Sequence, residues 1–301
     1  MKLLAATGLA LDAATTRAEA QARVAAYLAH HDIEEARGDA RALLLAAAAL
    51  SRADLMLAPD TALGADAATR LAGFVQRRAV REPTSRIIGE RGFWTLDLAV
   101  APDVLDPRAD TETLVELASS LLRARRGEAL TILDLGSGSG AILCALLAEF
   151  PRAHGVAVDL SPAACAATRA NLARCGFAHR AGVLRGRWAE ALAARFDLVV
   201  SNPPYIRRGD IASLDPEVRL HDPALALDGG VDGLDCYRVL ALATPGLLAP
   251  EGVALFEVGA GQSGDVAALL RARGLRVLET ARDAGGHERV VAAGAGPDGK
   301  P

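Results

Sequence analysis

Asn202-Pro203-Pro204-Tyr205 is the stretch of this 301-residue chain whose residue types are best suited to chemistry. It follows an apolar run, residues 196–201, that has the composition of a buried strand. Proline fixes φ and lacks a backbone N–H, so the loop is stiff and its carbonyl groups have few local donors. Such a loop presents hydrogen-bond acceptors in a fixed direction, which suits it to binding an NH2 group. A strand-ending turn without a chemical role is the alternative interpretation.

A glycine-rich turn follows another apolar run, residues 130–135, and leads directly into a helical pattern. Its glycines alternate with serines over residues 136–140, which allows a tight turn and a close approach of ligand to backbone. Asp159 follows about twenty residues later, where a carboxylate can accept hydrogen bonds from both ribose hydroxyls of a nucleoside. The spacing is not a full G-x-G-x-x-G, and no lysine follows as in a P-loop. We therefore predict a nucleoside without a pyrophosphate rather than NAD or ATP.

Asp134, just before the glycines, indicates which nucleoside binds. The ammonium group of S-adenosylmethionine requires an acidic or carbonyl-lined pocket, so we expect this cofactor. A tight turn with an unrelated surface aspartate is the alternative. Asn202 follows the fourth predicted strand, which lies beside the first in this topology, so both loops should open on one crevice. The cofactor would lie on one side and the acceptor group on the other.

The elements that must position these residues form an α/β pattern. Strands and helices alternate from residue 130 onward, which indicates a mostly parallel sheet covered on both faces. The predicted strands cover residues 130–135, 155–158, 196–200 and 253–258, with 275–280 and 288–293 as a last, antiparallel pair at the edge. The predicted helices between them cover residues 141–149, 162–175 and 234–248.

Residues 14–82 have a helical pattern without a strand signal. Thr16 is placed to cap the first helix, and further helices are predicted over residues 39–50 and 66–81. Basic and acidic residues balance here, unlike in a nucleic-acid-binding arm, so the segment is either a bundle that docks a protein partner or a structural cap. Pro83 breaks the helical pattern. In residues 93–100, apolar and polar residues alternate as in a strand of a short hairpin or linker. A helix is predicted after residues 110–112.

The composition, 51% hydrophobic and 23% charged, is that of a folded soluble protein. The N-terminus lacks a signal-peptide pattern and no apolar run is long enough to span a bilayer, so we expect a cytoplasmic protein and no membrane partner. The four cysteines and six histidines lack ligand spacing, so no metal is expected. A net charge of −4, without a basic patch interleaved with aromatic residues, argues against direct nucleic-acid binding.

Together, the glycine turn, Asp159 and Asn202-Pro203-Pro204-Tyr205 resemble the class I methyltransferases that modify planar nitrogens, either adenine N6 or glutamine N5. Residues 107–112 (Pro-Arg-Ala-Asp-Thr-Glu) and 226–234 (Ala-Leu-Asp-Gly-Gly-Val-Asp-Gly-Leu) narrow this further. They resemble the PrmC/HemK family, the glutamine methyltransferases that act on the GGQ motif of peptide chain release factors. The resemblance covers nearly the whole chain.

The resemblance implies a Rossmann-like, mostly parallel seven-stranded sheet with a small N-terminal helical domain. It implies a substrate-recognition domain over residues 1–85, a hairpin and linker over 86–112, a catalytic domain over 113–294 and a flexible tail over 295–301. The expected partner is a release factor, and the enzyme is expected to be a monomer. Two departures concern the linker: Asp106 replaces a usual apolar residue, and Ala109 replaces a usual second proline.

The resemblance also implies roles for individual residues. The expected cofactor-binding residues are Gly136, Ser137, Gly138, Ser139, Gly140, Asp159, Trp188 and Asn202, with Trp188 near the adenine; an ordinary core aromatic is its alternative role. Asn202, Pro203, Pro204 and Tyr205 are expected to bind the substrate. Of these, Asn202, Pro203 and Tyr205 are the expected catalytic residues. Asn202 and Pro203 would accept hydrogen bonds from the glutamine NH2 group, and Tyr205 would form a wall of the acceptor pocket.

Three alternatives remain open at the level of sequence. A glutamine methyltransferase acting on a ribosomal protein would share the same catalytic loop. An adenine N6 methyltransferase would apply the same hydrogen bonding to an exocyclic amine, but the chain lacks the pattern expected for gripping an extruded base. A non-catalytic cofactor-binding protein would be expected to have lost Asn202, which this chain retains.

Overall fold

The computed structural model describes residues 9–296 of the chain. The chain divides into two compact units, Met1–Gly89 and Glu90–Pro301. The first unit ends at Gly89, whereas the sequence predicts a boundary at residue 85. The predicted tail, residues 295–301, lies outside the described residues except for its first two positions.

The described part of the first unit is helical. Its helices are α1 (Arg17–His30), α2 (Ala36–Ala48), α3 (Arg52–Leu57), α4 (Ala65–Ala79) and α5 (Thr84–Ile88). Thr16 caps α1 as predicted, because its hydroxyl accepts from the Glu19 N–H while the Glu19 carboxylate accepts from the Thr16 N–H. The helix predicted over residues 39–50 ends early because Ala49 adopts a left-handed conformation, with φ 51°. Buried leucine and alanine side chains form the core of this unit.

The second unit begins with an antiparallel hairpin, β1 (Glu90–Phe93) and β2 (Leu96–Ala99). The predicted hairpin is present, but the strand predicted over residues 93–100 is shorter, because Trp94 has φ 57° and turns the chain between β1 and β2. The Trp94 backbone N–H donates to the Glu112 carboxylate (2.8 Å), and its indole N–H donates to Glu149 (3.0 Å). These two bonds hold the turn. The hydrophobic pattern of the sequence does not predict them.

A seven-stranded sheet forms the centre of the second unit and confirms the predicted fold class. Its strand order is β5-β4-β3-β6-β7-β9-β8, with β9 antiparallel to both neighbours and the other pairs parallel. The elements in chain order are α6 (Glu112–Leu121), β3 (Thr131–Leu135), α7 (Ala141–Glu149), β4 (His154–Asp159), α8 (Pro162–Arg174), β5 (Ala181–Arg185), β6 (Phe196–Ser201), α9 (Pro216–Arg219), α10 (Ala224–Leu227), α11 (Asp235–Leu247), β7 (Leu248–Glu257), α12 (Ser263–Arg271), β8 (Arg276–Arg282) and β9 (Glu288–Gly294).

The central strands are buried on both faces, with one apolar cluster on each side of the sheet. Such strands have continuous apolar runs, which is why β3, β4 and β6 could be predicted. β6 pairs with β3, as expected. From β3 the chain adds strands β4 and β5 on one side of the sheet, and from β6 it adds strands on the other side. The loops that follow β3 and β6 therefore open on the same crevice.

Three further properties concern the described part of the chain as a whole. No helix in residues 9–296 is long and apolar enough to cross a membrane. The four cysteines are free thiols. The same residues contain no group of histidine, cysteine, aspartate and glutamate side chains that could hold a metal ion.

Candidate active site

A cavity of about 290 Å³ lies at the carboxyl edge of the sheet, between the loops that follow β3, β4, β5 and β6. Ligand pockets are commonly lined by apolar groups with a few well-placed polar ones, and this cavity has that character. The predicted site residues that line it are Gly136, Gly138, Asp159, Trp188, Asn202 and Pro204. Those that do not line it are Ser137, Ser139, Gly140, Pro203 and Tyr205.

The glycine turn after β3 has a backbone that only glycine adopts without strain. Gly136, Gly138 and Gly140 have φ of 75°, 55° and 79°. The Gly136 N–H donates to the Val158 carbonyl (2.8 Å), which ties the turn to the next strand. A Cβ on Gly140 would lie only 2.8 Å from Thr168 Cγ2. The turn therefore packs directly on α8, and the open backbone of Gly136 and Gly138 faces the cavity.

Contacts inside the protein fix the shape of this turn. The hydroxyls of Ser137 and Thr168 are hydrogen-bonded (3.1 Å), and the Thr168 hydroxyl lies 3.0 Å from the Gly138 carbonyl oxygen, to which it can donate. Asn171 Nδ2 donates to the Ser139 carbonyl (2.9 Å). The Ser137 hydroxyl and the Ser139 carbonyl thus support the backbone that surrounds the cavity, and a direct role of these serines in ligand binding stays a prediction.

Asp159 ends β4 with its carboxylate oriented by two backbone donors. Oδ2 accepts from the Gly138 N–H (2.9 Å), and Oδ1 accepts from the Ser161 N–H (2.8 Å). Each oxygen can accept a further bond, which suits the carboxylate to a pair of ribose hydroxyls. Trp188 lines the same cavity, and its ring lies 3.5 Å from the position that a Cβ on Gly136 would occupy. A planar apolar group therefore borders the space above the turn.

Asp134 lies fully buried at the end of β3, and neither carboxylate oxygen has a hydrogen-bond partner. Burial, followed by the negative charge of Asp159, raises the pKa of Asp134 to about 7. A cationic ligand in the neighbouring cavity would stabilise the ionised form. S-adenosylmethionine carries a ribose and two positive charges, so the open glycine turn, Asp159 and this unpartnered carboxylate fit it.

Asn202 follows β6 directly and lines the cavity. The preceding Ser201 hydroxyl donates to the Leu135 carbonyl (2.6 Å), which ties the ends of β6 and β3 together. Asn202 Nδ2 donates to the Thr111 hydroxyl oxygen (3.2 Å). This bond uses the NH2 end of the side-chain amide, so Oδ1 is the end that remains to accept from a ligand.

Tyr205 is half-buried behind the cavity lining. Its carbonyl accepts from Gln262 Nε2 (3.0 Å), and a Cβ on Gly229 would lie 2.8 Å from the Tyr205 Cα. Gly229 therefore packs on the backbone of the Asn-Pro-Pro-Tyr loop. Burial and the neighbouring carboxylate of Glu257 raise the pKa of Tyr205 to about 12. Its predicted position as a wall of the acceptor pocket stays a prediction.

Thr111 and Glu257 are polar residues of the site for which the sequence analysis proposed no role. Both are buried, with exposed fractions of 4% and 1%. Burial raises the pKa of Glu257 to about 7, while hydrogen bonding from Thr111 and the positive charge of Arg289 act in the opposite direction. A single carboxylate at the end of an apolar strand was the sequence signal that could have indicated Glu257.

The two departures from the family pattern lie in the segment before α6. Asp106 is buried, with a carboxylate oxygen 3.9 Å from the guanidinium of Arg91. Ala109 begins a short 3-10 turn, Ala109–Thr111, that leads into α6. This turn places the Thr111 hydroxyl within hydrogen-bonding distance of Asn202 Nδ2. The replacement of proline by Ala109 is therefore compatible with that hydrogen bond.

Comparisons with known proteins agree with this geometry. Residues 19–89 match the PrmC N-terminal domain, and residues 109–215 match the methyltransferase small domain. The solved 16S rRNA N2 G1207 methyltransferase of T. thermophilus, in complex with AdoMet and guanosine, is similar with a TM-score of 0.50 and 20% identity, over 68% of this chain and 49% of that one. This similarity concerns the fold alone.

Two relatives are much closer in sequence. The release factor glutamine methyltransferase of Rhodospirillum rubrum is 49% identical over 261 residues, which cover 87% of this chain and 79% of the relative. The release factor glutamine methyltransferase of Cereibacter sphaeroides is 45% identical over 266 residues, 88% of this chain and 94% of the relative. The chain therefore belongs to the family of release factor glutamine methyltransferases.

Proposed function

We propose that this enzyme transfers the methyl group of S-adenosylmethionine to the side-chain amide nitrogen, N5, of the glutamine in the GGQ motif of peptide chain release factors. The observation that carries the proposal is the orientation of Asn202. Its Nδ2 is bonded to Thr111, so its acceptor oxygen remains for the cavity that Asp159 and the glycine turn also line. Membership in the family supports the choice of substrate.

The chemical problem is the weak nucleophilicity of an amide nitrogen, whose lone pair is delocalised into the carbonyl group. In this proposal Asn202 Oδ1 and the Pro203 backbone carbonyl accept hydrogen bonds from the glutamine NH2 group. These bonds strengthen as positive charge develops on nitrogen, so they stabilise the transition state more than the bound substrate. When bound, S-adenosylmethionine supplies the methyl group on a positively charged sulfur, which is a good leaving group.

The remaining residues act by holding and orienting. The glycine turn, residues 136–140, and Asp159 would hold the nucleoside, with Trp188 against the adenine. Pro204 and Tyr205 would limit where the glutamine amide can lie, which brings the nitrogen into line with the methyl group. No side chain has to remove a proton beforehand, since the nitrogen becomes acidic once it is methylated and the proton can pass to water.

The division of labour along the chain is part of the proposal. Residues 1–85 would recognise the release factor, residues 86–112 would link, and residues 113–294 would perform catalysis. As the family resemblance implies, the enzyme would act as a monomer. Release factors act in translation, which places the reaction in the cytoplasm.

A labelling experiment tests the proposed substrate. The purified enzyme is incubated with S-adenosylmethionine carrying a labelled methyl group and with a release factor, a ribosomal protein or double-stranded DNA. We expect label on the glutamine of the Gly-Gly-Gln loop, located by peptide mass spectrometry. A release factor with that glutamine changed to alanine is the control and should remain unlabelled. Label on adenine, or only on a ribosomal protein, would overturn the proposal.

A further inference from the structure

The Asn-Pro-Pro-Tyr loop is fastened to the protein at both of its ends. At its start, the Ser201 hydroxyl donates to the Leu135 carbonyl (2.6 Å). At its end, the Tyr205 carbonyl accepts from Gln262 Nε2 (3.0 Å). Two successive prolines make the segment between these points stiff, so a shift of the Tyr205 end would be transmitted to the rest of the loop. The contact between Tyr205 and Gln262 therefore bears on where the acceptor groups of the loop lie.

Gln262 directly precedes α12, and hydrogen bonds at both ends of its amide fix its orientation. Oε1 accepts from the backbone N–H of Gly259 (3.0 Å). Nε2 is thereby directed at two carbonyl oxygens, those of Tyr205 (3.0 Å) and Gly233 (3.4 Å). A flipped amide would set a donor against the Gly259 N–H and an acceptor against the two carbonyls. One side chain thus joins the loop after β7, to which it belongs, to the loops after β6 and α10.

Glycines leave the room that this contact needs. A Cβ on Gly233 would lie 2.5 Å from Gln262 Nε2 and 2.5 Å from the Tyr205 carbonyl oxygen. A Cβ on Gly259 would lie 2.7 Å from Gln262 Oε1 and 3.0 Å from Tyr205 Cδ2. A side chain at either position would displace Gln262 or Tyr205, so only glycine permits the close approach. Gly233 belongs to the conspicuous stretch of residues 226–234, and this contact gives it a structural purpose.

The backbone that follows Tyr205 is paired with the same stretch. The Ile206 N–H donates to the Leu227 carbonyl (3.1 Å), and the Gly229 N–H donates to the Ile206 carbonyl (2.8 Å). Gln262 closes this pairing at its Tyr205 end, because it donates to one carbonyl on each of the two segments. The N–H groups of Ile206 and Gly229 therefore report whether the pairing stays closed.

We propose that Gln262 is a positioning residue for methyl transfer: by donating to the carbonyls of Tyr205 and Gly233, it fixes the far end of the Asn-Pro-Pro-Tyr loop and keeps its acceptor groups aimed at the substrate nitrogen. The inference rests on the proposed function, because it assumes that Asn202 and Pro203 accept from the glutamine amide. Gln262 does not line the cavity, so it acts through the loop. Its effect should therefore appear in the rate of methyl transfer and leave cofactor affinity unchanged.

Two substitutions in the full chain separate hydrogen-bond donation from packing. Gln262→Glu keeps the shape of the side chain but replaces the donating NH2 group with oxygen, and Gln262→Met removes both polar ends. A misplacement of reacting groups by about 1 Å can cost a hundredfold in rate, so we expect each variant to lower kcat by roughly tenfold to a hundredfold at pH 8. The Kd for S-adenosylmethionine should stay within about threefold of the wild-type value.

Thr244→Val is the matched control. The buried Thr244 hydroxyl donates to the Leu240 carbonyl inside α11 (2.7 Å), so this variant loses a hydrogen bond in the same unit without touching the loop. Its kcat should stay within about twofold of the wild-type value.

Amide hydrogen exchange without substrate gives a second measurement, which does not depend on activity. The amides of Ile206 and Gly229 should exchange at least about threefold faster in both Gln262 variants, because the pairing opens more often. In Thr244→Val, these two amides should exchange at the wild-type rate.

Several results would overturn the inference. A wild-type kcat for Gln262→Glu would show that the shape of the side chain suffices, and a loss of cofactor affinity parallel to the loss of rate would indicate a general structural role. An equal loss of kcat in Thr244→Val would show that the rate only follows stability. Failure of the proposed function is distinguishable, since the wild-type enzyme would then not methylate the release factor glutamine. Unchanged exchange at Ile206 and Gly229 would overturn the inference about Gln262 whichever substrate is methylated.

Discussion

The buried carboxyl groups of Asp134 and Glu257 lie within the last two residues of two strands of the central sheet, and burial raises the pKa of each to about 7. Each has at least one oxygen without a hydrogen-bond partner. Buried carboxyl groups with strongly shifted pKa values are concentrated at functional sites, because stability alone would favour an apolar residue there. Asp134 lies next to the turn that would hold a cationic cofactor, and Glu257 lies next to the residue that would hold the acceptor.

Asp134→Asn should change how stability depends on pH. Folding raises the Asp134 pKa from 3.8 to about 7, so the folded state binds the extra proton and this contribution to stability is lost as pH rises from about 4 to 7. The variant lacks this loss. As the pH rises over this range, its unfolding free energy should therefore increase relative to that of the wild type by on the order of 2–4 kcal/mol. Urea unfolding without cofactor, at several pH values, measures the difference.

The same variant has a second expected property. Asparagine cannot supply a negative charge, so the Kd for S-adenosylmethionine at pH 8 should rise by about tenfold or more. If the wild type and the variant show parallel stability profiles between pH 4 and pH 7, Asp134 does not titrate as described. An unchanged cofactor affinity would show that its charge does not contribute to binding.

Two residues that the sequence singles out at the carboxyl ends of strands line the cavity. Asp159 ends β4, and Asn202 directly follows β6. Thr111 could not be assigned a role, because its importance comes from a hydrogen bond to Asn202, which is far away in the chain. A single sequence reports neither such a bond nor the unpartnered oxygen of a buried carboxylate such as Glu257.

At the level of elements, the strands that the sequence predicts best are the buried ones. β3, β4, β6 and β7 have apolar runs because they lie inside the sheet. β5 escaped prediction because it is an edge strand whose residues are exposed or half-buried, so its sequence lacks an apolar run. The turn at Trp94 escaped for a different reason, since a tryptophan at positive φ carries none of the usual turn signals.

Asn171 links its own helix, α8, to the hairpin and to the glycine turn. It accepts from the Ala99 N–H (2.8 Å) and donates to the carbonyls of Ala99 (3.1 Å) and Ser139 (2.9 Å), so it joins the hairpin to the glycine turn. Asn171→Ala would leave the buried Ser139 carbonyl and the partly buried N–H and carbonyl of Ala99 without this partner. We expect the unfolding free energy to fall by roughly 2–4 kcal/mol and cofactor affinity to fall with it.

Ser119→Ala is the matched control for this prediction. The Ser119 hydroxyl oxygen is buried without a hydrogen-bond partner, so its removal should change the unfolding free energy by less than about 0.5 kcal/mol. Urea unfolding of both variants provides the comparison. Equal losses for Asn171→Ala and Ser119→Ala would show that the three hydrogen bonds of Asn171 do not stabilise the unit.

At the scale of the whole molecule, the cavity lies within one of the two units. Every lining residue belongs to Glu90–Pro301. A ligand at 100 times its Kd stabilises the folded state that binds it by about 2.7 kcal/mol. Saturation with S-adenosylmethionine should therefore slow amide hydrogen exchange in this unit, most strongly around residues 134–140 and 159–161. Amides of α1, α2 and α4 should exchange at unchanged rates, and equal slowing there would contradict this assignment.

The fold does not select the substrate. A similar fold occurs in an enzyme described as a 16S rRNA methyltransferase. Selectivity has to come from residues placed on the fold. The net charge of −4 adds no general attraction for a nucleic acid, which agrees with a protein substrate.

The most direct test of the central claim, that Asn202 holds the substrate nitrogen for methyl transfer, is the single-turnover rate of Asn202→Ala. The rate is measured on a release factor with the cofactor saturating, and the Kd for S-adenosylmethionine is measured in parallel. We expect the rate to fall by at least about a hundredfold, while the Kd stays within about threefold of the wild-type value. A rate close to that of the wild type, with the cofactor bound normally, would contradict the claim.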